Sequence, residues 1–209
     1  YQIIKYYDEL VNIDIGKSED KREDYYKFFE QLARKDMANL IGKKIVKHER
    51  DVELAFEKAT NYLFERKLNQ KVIKQSGTEH SDGCIKFGKN GELLMWDNKT
   101  KMQDKYKFPN SHLRQFKRYI RDENNRGKRV SCFLVIVPEF DEKANENAER
   151  LKYESGIDTD VAIISAENLK WIAEEWSKNQ TGESFNLQVF NKTGLLTKNV
   201  IKSRIKLFS

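Results

Sequence analysis

Glu79-His80-Ser81-Asp82-Gly83-Cys84-Ile85-Lys86-Phe87, then Lys89-Asn90-Gly91-Glu92, then Leu93-Leu94-Met95-Trp96-Asp97-Asn98-Lys99, decides how the rest of the chain is read. Cys84 to Phe87 alternates as a half-buried strand does. Leu93 to Trp96 is a continuous apolar run, which suits a strand covered on both faces. Between them Asn90-Gly91 predicts a tight turn, because both residues tolerate positive φ. An antiparallel hairpin then brings Asp82, just before the first strand, beside Asp97 at the end of the second. Lys99 follows Asp97 by two residues, so the period of a strand points both side chains to one face.

Two carboxylates and a lysine on one sheet edge carry chemistry. The acids can hold Mg²⁺, which prefers oxygen ligands and leaves positions for water and phosphate oxygens. The Asn98 backbone carbonyl offers one further ligand. Lys99 can orient or help deprotonate an attacking water and stabilise charge growing on a phosphate. The same residues also suit a bare Asp-Gly turn and a polar strand end, since acid-x-lysine strings recur in any highly charged sequence.

The surroundings resemble a known family. Asp82, a strand hairpin and Asp97-Asn98-Lys99 look like the signature of PD-(D/E)xK nucleases, and most resemble the cleavage domain of FokI-type (type IIS) restriction endonucleases. Asp82-Gly83-Cys84-Ile85 is similar to that group's entry to its first strand. Gln115-Phe116-Lys117-Arg118-Tyr119-Ile120 resembles the helix after its catalytic lysine, and Phe133-Leu134-Val135-Ile136-Val137 its next core strand. Ala162 to Leu169 resembles a late strand leading into a helix, and Gly194 to Phe208 the closing segment. These segments run in the family's order from about residue 50 to 209.

The resemblance implies a restriction-endonuclease-like α/β core and hydrolysis of phosphodiester bonds in double-stranded DNA. It implies Asp82, Asp97 and the Asn98 carbonyl as Mg²⁺ ligands, with Mn²⁺ as a substitute, and Lys99 as the residue that activates water. Phe56-Glu57 looks like the pair that related domains carry on the helix before the hairpin. That would make Glu57 a fourth catalytic member; a solvated acid paired with a lysine fits it equally. Cutting both strands implies a transient homodimer or a second nuclease subunit, and sequence choice a recognition domain outside this chain. Two departures stand out. Ser81 replaces the family's proline, and Arg114 and Arg118 stand where the family pairs an aspartate with an arginine across a dimer, so the same reciprocal ion pairs cannot form.

Composition is consistent with a polyanion partner. The chain has 209 residues, a net charge of +6 and a pI near 9.1. The excess is modest, 39 basic against 33 acidic residues, and solubility alone would also explain it. Hydrophobic residues make up only 38%, yet twelve Phe, nine Tyr and three Trp suffice for a core. Cys84 and Cys132 fall in apolar strands, which predicts buried thiols in a reducing cytoplasm rather than a disulfide. No apolar run is long enough to span a bilayer, so a soluble, intracellular protein without a membrane partner is expected. The chain begins at Tyr1, which suggests a piece of a longer protein.

In chain order, residues 1–45 read as a helical extension or linker and 46–209 as the nuclease domain. Ile3, Ile4, Tyr7, Leu10 and Val11 lie close to a helical stripe. Ser18 then caps one helix running to Ile41 and burying Tyr25, Phe28, Phe29, Leu32 and Met37. A strong amphipathic helix spans Glu49 to Leu68. Lys74, Lys101, Lys105 and Lys107 flank the acids and are candidates for DNA-backbone contacts, although a solvated loop would look the same. Ser111 opens a helix to Glu123 whose other face carries Arg114, Lys117, Arg118 and Arg121. Val130–Val137 and Asp160–Ile164 are strands, Ser165 caps a helix to Trp176, Leu187–Phe190 reads as an edge strand, and Thr197 opens a closing helix. The sum is a mixed sheet flanked by helices. Two alternatives compete: a structure-specific or repair nuclease of the same superfamily, and a DNA-binding module keeping the fold without chemistry. The intact Asp82, Asp97 and Lys99 argue against the second.

Overall fold

The structure, a computed structural model, describes residues 20–73, 80–101, 105–156, 158–179 and 182–208. The stripe over 1–15, the Ser18 cap and Lys74 lie outside them. Between Arg22 and Gly42 there are three short helices, α1 (Arg22–Lys27), α2 (Phe29–Ala33) and α3 (Met37–Gly42), in place of the single helix expected. Phe28 leaves helical geometry and Lys35 takes a left-handed φ of 49°. Asp36 restarts the helix by accepting the Asn39 N–H. The breaks rotate the buried set to Tyr26, Phe29, Leu32, Ala33 and Leu40, leaving Tyr25, Phe28 and Met37 half-buried.

The amphipathic helix is α4 (Asp51–Tyr62), which closes in a π-helical turn over Leu63–Lys67. Its apolar face buries Val52, Ala55, Phe56 and Ala59. Next come β1 (Val72–Ile73), which the sequence reading did not anticipate, and the hairpin strands β2 (Gly83–Phe87) and β3 (Glu92–Asn98). The hairpin turn differs from the Asn-Gly turn expected. Phe87 pairs with Glu92, so the loop has four residues, and Gly88 and Gly91 take the left-handed φ values, not Asn90. Then follow α5 (Asn110–Asn125), β4 (Val130–Val137), α6 (Ala144–Ser155), β5 (Asp160–Ser165) and α7 (Ala166–Asn179). Pro109, not Ser111, precedes the first turn of α5. Ser165 does cap α7, its hydroxyl accepting the Asn168 N–H at 3.2 Å. Leu187–Phe190 is a 3₁₀ turn rather than an edge strand, because Asn186 caps it by accepting from the Gln188 N–H. The edge strand is β6 (Gly194–Leu195), and α8 (Lys198–Phe208) closes the chain.

The six strands lie in sequence order. β1, β2 and β3 are antiparallel, while β3, β4, β5 and β6 run parallel, joined by helical crossovers. This is the mixed α/β sheet flanked by helices that the pattern implied. Alternation along the strands builds two cores. Leu94, Trp96, Leu134, Ile136 and Ile164 pack under α1–α4, α7 and α8. Leu93, Met95, Phe133, Val135 and Ile163 pack under α5 and α6. Tyr26, Phe29, Leu32 and Leu40 belong to the same cluster as Phe56 and Trp96, so the helices over 22–42 share the core of the sheet.

Candidate active site

Strand parity decides which side chains meet. Met95 faces α5 and Trp96 faces α4, so Asp97 returns to the α5 side, Asn98 to the α4 side, and Lys99 to α5 again. Asp82 precedes Gly83, whose partner across the hairpin is Trp96, which sets Asp82 opposite Asp97. That close pairing needs glycine at 83. The Trp96 indole lies over the backbone there, and a Cβ would meet its ring at 1.9 Å.

The polar contacts tie the three residues into one unit. The Asn98 backbone N–H donates to Asp82 Oδ2 at 2.7 Å. Lys99 Nζ sits 2.6 Å from Asp97 Oδ1, with the Asp97 side chain 4% exposed and Lys99 18%. On the opposite face, the Asn98 side-chain oxygen is 3.1 Å from the Thr60 hydroxyl of α4. The Lys99 backbone N–H donates to Ile136 O of β4, and the Lys101 N–H to Ala33 O of α2, which anchors the strand end on both sides.

Electrostatics favours a cation here. Burial and the neighbouring Asp97 charge push the Asp82 carboxyl above the ordinary carboxylate range, against the pull of the Asn98 N–H. Burial likewise raises Asp97, partly offset by Lys99. Glu57 is also raised by burial, and its charge contributes to the shift at Asp82. Two acids that resist ionising together, open to a cleft, are a donor set that a divalent ion would relieve. Among the described residues no group of three His, Cys, Asp or Glu side chains is close enough to hold an ion by itself. Asp82 and Asp97 are two oxygen donors at the cleft, the ligand chemistry that Mg²⁺ prefers alongside water and phosphate.

The cleft holds about 950 Å³ and is lined by Glu57, Asp82, Asp97, Asn98 and Lys99, with Lys101 and Lys107 along it. Lys105 is not among the lining residues; its Nζ lies 3.2 Å from Glu139. His80 lines the cleft with Nδ1 2.7 Å from the Ser81 carbonyl, and Glu53 lies 3.4 Å from Lys35 Nζ. The sequence did not assign to the site several residues that enter it. His112, Gln115 and Tyr119 of α5 reach the cleft, and Tyr106 OH is 2.9 Å from His112 Nδ1. Burial and Lys99 push His112 down to about 4, while burial and Asp97 raise Tyr106. A signal for the α5 residues was present: 112, 115 and 119 repeat at helical spacing one ridge away from Leu113, Phe116 and Ile120.

A family model described as "FokI, cleavage domain" matches residues 12–197. Two solved structures resemble the fold. One is that of the restriction endonuclease FokI, with TM-score 0.60 and 14% identity, covering 82% of this chain and 31% of that one. The other is FokI bound to DNA, with TM-score 0.57 and 15% identity, covering 80% and 32%. The chain thus spans about a third of the length of each. No curated protein sequence matches it.

Proposed function

The chain belongs to the FokI cleavage-domain family, a nuclease family of restriction-endonuclease type, and from that premise we propose that it is a Mg²⁺-dependent endonuclease acting on double-stranded DNA. One observation carries this reading: the Asn98 N–H on Asp82 locks the two acids of the hairpin together, with Lys99 on Asp97 beside them at the cleft. A dead binding module has no physical reason to keep two buried acids that repel each other.

Asp82, Asp97 and the Asn98 carbonyl would hold the ion. When bound, it supplies positive charge against the phosphate oxygens and acidity to water in the cleft. The protein's own groups do the rest. Lys99, paired with Asp97, donates toward the attacking water or a non-bridging phosphate oxygen and so offsets charge that grows in the transition state. Glu57, raised by burial at the cleft, orients water on the α4 side. Lys101 and Lys107 take backbone phosphates and set the register of the duplex. Sequence choice belongs to a recognition domain beyond this chain. A second site, in another copy or a different nuclease subunit, cuts the second strand, through contacts other than an ion pair at Arg114 and Arg118.

Plasmid cleavage tests the reading. The protein with Mg²⁺ or Mn²⁺ is expected to nick or linearise supercoiled DNA, and EDTA or Asp97→Ala to abolish it. A folded protein that shifts DNA yet cuts with neither metal would replace this reading by the binding module.

A further inference from the structure

An ammonium group has three N–H donors and no preferred direction of its own. Lys99 must therefore be aimed by its neighbours. Asp97 supplies one, at 2.6 Å. The other comes from outside the hairpin: Gln115 Oε1 of α5 accepts from Lys99 Nζ at 3.3 Å. A glutamine amide has two faces, and only its oxygen can receive an ammonium. The ammonium, which can only donate, therefore selects that end, and Gln115 Nε2 at the other end donates to the Tyr119 hydroxyl at 2.8 Å, which tethers the amide. Tyr119 lies one helical turn further along and is 5% exposed, so the tyrosine oxygen is itself held in place. The Phe116 ring lies 5.2 Å from Nζ and packs against its α5 side.

We propose that Gln115, held in one orientation by Tyr119, is the positioning residue for Lys99. It draws one N–H toward α5 and leaves the remaining one for water or a phosphate oxygen in the cleft. The hydrogen bonds of the Gln115 amide go to Lys99 and Tyr119, so it acts on the site through the lysine. Its effect on rate rests on the nuclease reading; its effect on Lys99 does not.

Two readouts separate those. Reductive methylation with formaldehyde and dimethylamine-borane, followed by mass spectrometry, gives the reactivity of Lys99 relative to the exposed Lys206 in the same molecule. Gln115→Leu is expected to raise that ratio several-fold. Tyr119→Phe should raise it less, and Gln115→Glu, which keeps an acceptor at the same reach, should leave it as in the wild type. In single-turnover nicking, Gln115→Leu is expected to lower the rate by roughly tenfold while duplex affinity stays within about twofold, as for other residues that orient a site from behind. An unchanged Lys99 ratio in Gln115→Leu overturns the proposal whether or not the wild type cuts. So does a nicking rate equal to that of the wild type. A wild type that never cuts overturns the nuclease reading instead, and the labelling ratio then decides the role of Gln115.

Discussion

The Asn98 backbone N–H points at Asp82 Oδ2 from 2.7 Å, so the acid just before β2 is pinned to the main chain of β3. This bond offsets only part of the cost of keeping Asp82 and Asp97 side by side. Burial still holds both carboxyls above their ordinary range, and at Asp82 the Asp97 charge adds to it. The fold itself thus holds the two acids together, at some expense of stability.

That expense has a pH dependence. A carboxyl that binds its proton more tightly folded than unfolded stabilises the fold fully below the unfolded pKa, roughly 4. The contribution is lost as the pH climbs from there through the raised folded value. Metal-free protein should therefore lose thermal stability as pH rises above the ordinary carboxylate range. On the proposed reading Mg²⁺ binds the ionised acids, so it should restore more stability at pH 8 than at pH 5. Asp82→Asn should flatten the profile, gain about 1 kcal/mol without metal at neutral pH, and lose cleavage. Thermal melts across pH, with and without Mg²⁺, check all three; a wild-type profile already flat without metal would count against the coupled acids.

Gly83 is where packing and chemistry meet. Any side chain there collides with the buried Trp96 indole, which stacks on Phe64 at 4.5 Å between centroids and has no space to retreat. Gly83→Ala should cost about 2–3 kcal/mol in urea unfolding, as overpacked cores do. It should also slow cleavage, because the strand must shift beside Asp82. A change of tryptophan emission in the folded variant would report the displaced ring. Unaltered stability would mean that the strand relaxes freely and that the glycine is not required.

The hairpin and its three polar residues were legible because strand parity is a short-range rule: once Leu93 to Trp96 is a strand, the sides of Asp97, Asn98 and Lys99 follow. What stayed hidden depends on contacts between distant segments. Nothing local marks Gln115 as the partner of a lysine on another element, or Thr60 as the neighbour of Asn98. Leu187 to Phe190 has the composition of a strand, yet the Asn186 cap turns it into a 3₁₀ segment. The left-handed Lys35 that breaks the first helix carries no sequence signal at all.

The basic residues near the site divide by geometry, and DNA affinity should divide with them. Lys107 is exposed and lines the cleft, whereas Lys105, equally exposed, turns to Glu139 and lies outside the lining. A phosphate contact releases counterions, so losing one both weakens binding and lowers its salt dependence. Lys107→Ala should weaken duplex binding similarly for all sequences and reduce the slope of log K against log salt by about 1. Lys105→Ala should change the slope little, because its charge is already spent on a surface pair of small net worth. Fluorescence anisotropy with a labelled duplex, titrated at several salt concentrations in Ca²⁺ or without metal, measures both. Equal losses for the two variants would mean that the duplex runs across the rim toward Glu139 rather than along the cleft.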